Sequence, residues 1–264
     1  MPITSYIVEE GPGRGKGHVS HGNGKGKGHE KHAHEAMADG EYTIVVDEID
    51  HQNHTAVGQT GTPATLADGS TMYTEVRDGA ITIDDAPGAH GEALHLDTDS
   101  GNGRLRLTNI FDADNRFTLG ELDQLSFDYY IDSSDRTDVI PVIRLLIDGD
   151  GNLATTADQG ELVFEYAYQG LPGTTQDVWR TADLAGDDWV AWQRSGGQNR
   201  DQIANMTELS DWADANGFTP AGGVNFNEDS LVLGWSIALG SGNGTNDIYL
   251  DNLQVAGVNM QFGG

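Results

Sequence analysis

The stretch of the sequence best suited to chemistry is a run of alternating oxygen ligands between residues 148 and 152. Its oxygen-bearing side chains occupy every second position: Asp148, Asp150 and Asn152. Alternate side chains of such a run can point toward one ion, and calcium prefers carboxylate and amide oxygens. The spacing predicts a calcium loop completed by Asp158 or Glu161. A turn between two strands is the alternative interpretation.

This loop is not an EF-hand. An EF-hand needs glycine at the sixth position and a bidentate glutamate at the twelfth, where this sequence has Leu153 and Gln159. We therefore expect a structural calcium ion in a loop of another type.

A second candidate site consists of aromatic side chains that stack on sugar rings. Trp212 and Trp235 lie in apolar stripes and are expected in the core. Trp189, Trp192 and Tyr168 are better candidates for exposed side chains, so they are the predicted platform. Burial as ordinary core aromatics is the alternative for each of them.

The sequence gives little support for catalysis. It contains no cysteine and no G-x-S-x-G nucleophile motif. Carboxylate pairs such as Asp128 with Glu165 are used by glycosidases, but with 42 acidic residues such pairs arise by chance. We expect a protein that is not an enzyme.

Strands must position these residues, because the chain from Glu41 onward shows period-two alternation between turn residues. In residues 104–107 arginine alternates with leucine, which places the leucines on one buried face. Short strands separated by turns every 8–12 residues are typical of a β-sandwich. One helix is predicted between Thr207, a suitable N-cap, and Gly217.

The end of the chain carries a family resemblance. Residues 231–239 place Leu231, Leu233, Trp235, Ile237 and Leu239 at one parity, and a Gly-rich loop leads to Ile248-Tyr249-Leu250-Asp251-Asn252-Leu253. This hairpin resembles the closing strands of carbohydrate-binding-module-like (galactose-binding-like) jelly rolls of secreted bacterial proteins. Residues 121–256 also resemble a recurring secreted bacterial domain without an assigned role.

The resemblance implies an all-β jelly-roll sandwich and an extracellular location. It also implies that a structural calcium can bridge the early strands and the closing strand, which by analogy pairs Asp47 or Glu48 with Asp251. It supplies no catalytic residues.

The charge of the chain is strongly negative. Its 14 basic and 42 acidic residues give a net charge of −28, which repels nucleic acids and anionic membranes. No segment approaches the 18 apolar residues of a membrane span. We therefore predict no nucleic-acid partner and no membrane span.

The first 40 residues have a different composition. A run rich in Gly, Lys and His contains every lysine of the protein, and such a run is expected to be flexible. It follows a short β-prone segment that includes Ile3, Tyr6, Ile7 and Val8. Because an exposed sheet edge can accept an added strand, this segment is the predicted assembly element. Pairing with its own domain, or disorder, is the alternative.

The sequence thus predicts an arm (1–40), a jelly-roll β-sandwich (41–257) and a C-terminal tail (258–264). The preferred function is that of a secreted, calcium-stabilised structural or adhesive subunit that self-assembles into a fibre or matrix. The alternative is a carbohydrate-binding module that recognises a polysaccharide through an aromatic platform. A polysaccharide-acting enzyme is a distant third.

Overall fold

The computed structural model shows a protein built from β-strands. It describes residues 8–10, 42–46, 59–60, 64–66, 68–88, 90–154, 158–186, 189–195, 198–203 and 226–263. The helix predicted from Thr207 lies outside these residues. Among them, no helix has the length and apolar character needed to cross a membrane.

The strands of the described residues are numbered here along the chain. They are β1 (Val8–Glu10), β2 (Tyr42–Val46), β3 (Gln59–Thr60), β4 (Ala64–Thr65), β5 (Thr71–Arg77), β6 (Gly79–Asp85), β7 (Glu92–Thr98), β8 (Arg104–Ile110), β9 (Phe117–Thr118), β10 (Leu125–Ser134), β11 (Val142–Asp148), β12 (Gln159–Phe164), β13 (Arg180–Asp183), β14 (Ala191–Ser195), β15 (Gln198–Ile203), β16 (Leu231–Leu239), β17 (Asn246–Val255) and β18 (Val258–Phe262). Short 3₁₀ turns occupy Ala113–Asn115, Leu119–Glu121 and Tyr166–Tyr168.

The strands form two sheets. Sheet I runs in the order β1-β2-β18-β17-β10-β13, with β7 on the first half of β17 and β6 on β7. Sheet II runs in the order β15-β14-β12-β11-β16-β8-β5-β3, with β4 on β5 and β9 on β16. The described pairs are antiparallel apart from β2 with β18, which are parallel.

The two sheets enclose one large core cluster. Leu94, Phe127 and Leu250 from sheet I and Leu107 and Trp235 from sheet II are all buried in it. Strand β5 alternates between half-buried and buried residues along its length, as expected for a strand with one face in the core. The result is a jelly-roll β-sandwich, which confirms the predicted fold class and is the fold that the resemblance implied.

Strand β16 departs from the predicted alternation at a β-bulge. The register against β11 shifts between Leu146 and Ile147, so that Leu233 becomes an extra residue. As a result Val232 and Trp235 are buried while Leu231 and Leu233 are only half-buried. Gly234 lies at the bulge because a Cβ there would be 2.1 Å from the backbone oxygen of Asn109.

The C-terminal boundary also differs from the prediction. Residues 258–262, predicted as part of a tail, form β18 between β17 and β2. Val258, Met260 and Phe262 are buried. A hairpin after Gly257, which has a φ of +83°, returns the chain into the sheet and extends the sandwich to the end of the described residues.

Candidate functional site

A row of ring side chains crosses the outer face of sheet I. Each ring lies on a different strand, and the cross-strand register places them side by side: His95 on β7, Tyr249 on β17 and Tyr130 on β10. Trp179, just before β13, continues the row, since Tyr129 pairs with Arg180. These four residues are called the aromatic row below.

The rings of the row contact one another in sequence. His95 stacks on Tyr249 with ring centroids 4.4 Å apart, and Tyr249 meets Tyr130 nearly edge-on at 6.3 Å. Tyr130 lies 5.7 Å from Trp179, whose other neighbour is His90 at 3.7 Å. The four rings of the row and the ring of His90 are all half-buried. The row is therefore a continuous, partly exposed aromatic surface.

The aromatic row is long enough to contact an extended ligand. Thr82 on β6 faces His95 and marks the other end of the row. Neighbouring strands lie about 4.8 Å apart, so the four intervals from β6 to β13 span roughly 19 Å. A surface of this length fits a chain of several units better than a single small molecule.

Carboxylates flank the row: Asp97 and Asp247 lie on one side of it, and Asp84 lies on the other. His95 holds two of them, with Nδ1 3.0 Å from Asp84 Oδ2 and Nε2 2.8 Å from Asp247 Oδ1. Asp97 lies opposite Asp247 on the neighbouring strand. Because both ring nitrogens of His95 meet carboxylate oxygens, its ring is fixed in its stacked position.

A line of hydroxyl, carboxylate and amide groups follows the other side. Asp128 accepts a 2.6 Å hydrogen bond from Thr181 Oγ1 and a 2.9 Å hydrogen bond from Asn252 Nδ2. Gln261 Nε2 lies 3.5 Å from Asn252 Oδ1. Asn252 has a φ of +50° and lies at an irregularity of the β10–β17 register, which turns its amide toward Asp128.

Burial and the neighbouring carboxylates raise pKa values along the row. Burial raises the pKa of Tyr249, and Asp247 adds to it. Burial also raises the pKa of Asp97, helped by Asp247 and Asp99. Partial desolvation, followed by the charge of Asp177, raises the pKa of Tyr130. Both tyrosines therefore keep their hydroxyl protons at neutral pH, and the hydroxyl of Tyr130 lies 3.5 Å from its acceptor Asp177 Oδ1.

Sequence reasoning missed the aromatic row, although a signal for it exists. The pattern Asp-x-Tyr-x-Asp occurs in residues 128–132 and again in residues 247–251. In each case the residues flanking the central tyrosine are buried aliphatic or aromatic side chains, so the tyrosine points outward. A tyrosine that only fills the core is not expected to point outward between two acidic residues on the polar face of a strand. The repeated pattern is therefore the signal that the sequence offers for the row.

The predicted stacking platform is corrected in two of its three residues. Trp189 and Trp192 have 6% and 7% of their surface exposed, so neither is an exposed platform. Trp189 packs against Tyr166 in the main core, and Trp192 forms a small cluster with Val142 and Val163. Tyr168 is 48% exposed and meets the edge of Trp192 at 6.1 Å. Trp235 is buried, as predicted.

Three of the predicted calcium ligands do come together. Oxygen atoms of Asp148, Asp150 and Asp158 all lie within 4.8 Å of one another. The Asn152 amide oxygen accepts a hydrogen bond from Ala154 N at 3.2 Å and forms part of the same loop.

The second predicted calcium pair stays a prediction, because Asp47 and Glu48 lie outside the described residues. Asp251 Oδ1 accepts a 3.1 Å hydrogen bond from Phe262 N, and its Oδ2 lies 3.6 Å from His90 Nδ1. Asp251 thus ties β17 to β18 and to the residue that stacks on Trp179.

Only the end of the predicted assembly element is described. Val8 begins β1 and pairs with Ile44 of β2 in the same chain, which was the alternative stated for this segment. Ile3, Tyr6 and Ile7 lie outside the described residues, and self-assembly through them stays a prediction.

A cavity of about 460 Å³ lies on the outer face of sheet II. It is lined by Arg104, Arg106 and Arg116, and the guanidinium of Arg106 donates to Glu161 at 2.6 Å. Glu161, the alternative ligand for the predicted calcium loop, also lines this cavity and is paired there with Arg106 and Arg144. An extended ligand is better matched by the row of rings across sheet I, roughly 19 Å long, than by this arginine-lined depression.

Comparison with known proteins yields distant structural likenesses. No family model matches the chain, and no curated protein matches it in sequence. A carbohydrate-binding module described as specific for non-crystalline cellulose has 14% identity and a TM-score of 0.34, covering 78% of this chain and 98% of its own. The family 11 xylanase from Neocallimastix patriciarum has 11% identity and a TM-score of 0.34, covering 75% and 97%. Likenesses this distant assign no ligand or activity.

Proposed function

We propose that the protein is a non-catalytic polysaccharide-binding domain that holds a glycan chain across the aromatic row of sheet I. The observation that carries this proposal is the unbroken line of His95, Tyr249, Tyr130 and Trp179 on adjacent strands. Aromatic rings give a sugar an apolar contact surface, and a few polar groups around them fix its orientation.

The groups beside the row supply the polar part of such recognition. Carboxylates accept hydrogen bonds from sugar hydroxyls, while amides both donate and accept. Asp97 and Asp247 lie on one side, and Asp128 and Asn252 lie on the other. A glycan on the row would therefore have hydroxyl partners along both of its edges.

The charge of this face restricts the class of glycan. Asp84, Asp97, Asp247 and Asp128 surround the row, and the whole chain has a net charge of −28. A polysaccharide that carries carboxylates or sulfates would be repelled by this surface. The proposed ligand is a neutral polysaccharide, and the proposed location is extracellular, where such polymers occur.

Affinity gel electrophoresis against a panel of soluble polysaccharides tests this function. Neutral glucans and xylans, cast into native gels, should retard the wild-type protein relative to a gel without polymer. Pectate or another anionic polymer should not. Reducing-sugar release from the retarding polymer should stay at the background level. Migration unchanged by every neutral polymer would overturn the proposal, and release of reducing sugar would overturn its non-catalytic part.

A further inference from the structure

The loop between β11 and β12 in sheet II places three carboxylates around one point. Asp148 ends β11 and pairs with Gln159, the first residue of β12. Asp150 lies in the loop and Asp158 directly precedes β12. One oxygen from each lies within 4.8 Å of the other two. Three negative charges this close repel one another unless a cation lies between them.

Of the three aspartates, Asp148 has the environment that most favours a bound cation. Its side chain is fully buried, with 0% of its surface exposed. Oδ2 accepts a 3.0 Å hydrogen bond from Gln159 Nε2, but Oδ1 is buried without a hydrogen-bond partner. A buried, ionised oxygen without a partner is strongly unfavourable.

Backbone contacts hold the loop in a shape that gathers the carboxylates. Asp150 N donates to Asp158 Oδ2 at 2.9 Å, and Asn152 N donates to Asp150 Oδ1 at 2.8 Å. Ser230 Oγ donates to Gly149 O at 3.1 Å, which ties the loop to the start of β16. The carboxylate oxygens that would bind the ion are therefore positioned by the folded chain, and little rearrangement is needed for them to surround it.

We propose that Asp148, Asp150 and Asp158 bind one calcium ion, with Asp148 Oδ1 as the buried ligand. Calcium takes six to eight oxygens in flexible geometry, whereas magnesium requires a near-ideal octahedron and usually binds one or two carboxylates. Three carboxylates from a loop, with the remaining positions filled by water, match calcium better than magnesium. Zinc favours nitrogen and sulfur ligands, and none is among these three side chains.

The site has a structural role and acts independently of the aromatic row. It joins the end of β11 to the start of β12, and the hydrogen bond from Ser230 to Gly149 O links it to the start of β16. These three strands belong to sheet II. The aromatic row lies on sheet I. Removing the ion should lower the melting temperature without weakening polysaccharide binding measured at temperatures where the protein is folded.

Thermal unfolding and isothermal titration calorimetry of the full chain test the proposal, starting from protein stripped with EDTA. Calcium chloride should titrate with a stoichiometry near one. It should also raise the melting temperature, because a ligand at a hundredfold excess over Kd raises the folded-to-unfolded ratio about 100-fold. Magnesium at the same ionic strength should give a smaller shift.

Two variants and a matched control assign the effect to the loop. Asp150→Asn changes an exposed ligand and should weaken calcium binding at least tenfold. Asp148→Asn should abolish the calcium shift and, in EDTA, melt above the wild type because it removes the buried unpartnered charge. Asp123→Asn, an exposed aspartate elsewhere, should keep the whole shift. Equal wild-type melting curves in calcium and EDTA, or an undiminished shift in Asp150→Asn, would overturn the proposal.

Discussion

At the scale of single residues, two buried aspartates differ in how their oxygens are satisfied. Asp148 keeps one buried oxygen without a hydrogen-bond partner. Asp251, 6% exposed, receives the Phe262 amide on one oxygen and has His90 near the other. Burial nevertheless raises the pKa of Asp251 and outweighs the hydrogen bonds from Phe262, Asn252 and His90, which lower it. Its ionised form is therefore less favourable in the folded protein than in the unfolded chain.

Asp251→Asn should change stability in a pH-dependent way. Below the ordinary aspartate pKa of 3.8 the carboxyl is neutral in both the folded and the unfolded chain. The full contribution of the neutral side chain to the free energy of unfolding is then present. As the pH rises toward the raised folded pKa, only the unfolded chain ionises, and this contribution is lost. The variant cannot ionise and its amide oxygen can still accept from Phe262 N, so it should gain stability relative to wild type across this range.

Melting temperatures of Asp251→Asn and wild type, measured from pH 3 to pH 7, check this expectation. The difference between them should grow with pH and then level off above the folded pKa. Asp123→Asn serves as the exposed control and should show no such growth. A variant less stable than wild type at pH 7 by the same margin as at pH 3 would refute the account of Asp251.

At the scale of elements, β17 is the strand that connects most of sheet I. It pairs with β10 along one side and with β7 and then β18 along the other. This arrangement brings Tyr249 between His95 and Tyr130. The same strand carries Asp251 toward β18, so the aromatic row and the C-terminal strand depend on one element.

Phe262→Ala tests whether the last strand is part of the core. The side chain is fully buried, and truncating a buried phenylalanine costs about 3–5 kcal/mol. Gln261→Ala, at the exposed neighbouring position, should change stability by less than about 0.5 kcal/mol. Denaturant unfolding of both variants measures the difference. Equal stability of Phe262→Ala and wild type would mean that these residues are a dispensable tail.

Strands were predictable from the sequence where one face is buried and the other is exposed, because hydrophobic and polar residues then alternate along the chain. Residues 104–107 show the expected pattern, with buried Leu105 and Leu107 between more exposed arginines. The β-bulge at Leu233 could not be predicted, because an inserted residue leaves the alternation in the sequence unchanged. Its position is defined by the pairing with β11.

The aromatic row was missed for a similar reason. Its residues are far apart in sequence and become neighbours only through the strand order. The cluster of three aspartates in the β11–β12 loop was foreseeable because Asp148, Asp150 and Asp158 are within eleven residues of one another.

At the scale of the whole molecule, the acidic charge acts on stability and on ligand choice. Like charges at a net of −28 repel one another in the compact state. The same charge discourages anionic ligands and does little to a neutral one. Stability should therefore respond to salt much more than glycan binding does.

Sodium chloride should raise the melting temperature while leaving polysaccharide retention nearly constant. The screening length falls from about 10 Å at 0.1 M salt to about 3 Å at 1 M, which weakens the repulsion between surface carboxylates. Melting curves and affinity gels at both concentrations, in EDTA to exclude calcium effects, measure the two responses. Retention that collapses in high salt would instead indicate a charged ligand.

The most direct test of the central claim is the affinity of single-residue variants for whichever neutral polysaccharide retards the wild type. Tyr130→Ala and Tyr249→Ala remove neighbouring rings of the aromatic row, and an aromatic at the centre of a binding surface contributes about 2 kcal/mol or more. Each should lower the affinity at least tenfold, with melting temperatures recorded to show that the fold is retained. Tyr168→Ala removes an exposed ring elsewhere and should bind as wild type does. Unchanged binding by the two row variants, or loss of binding by Tyr168→Ala alone, would contradict the assignment of the binding surface to sheet I.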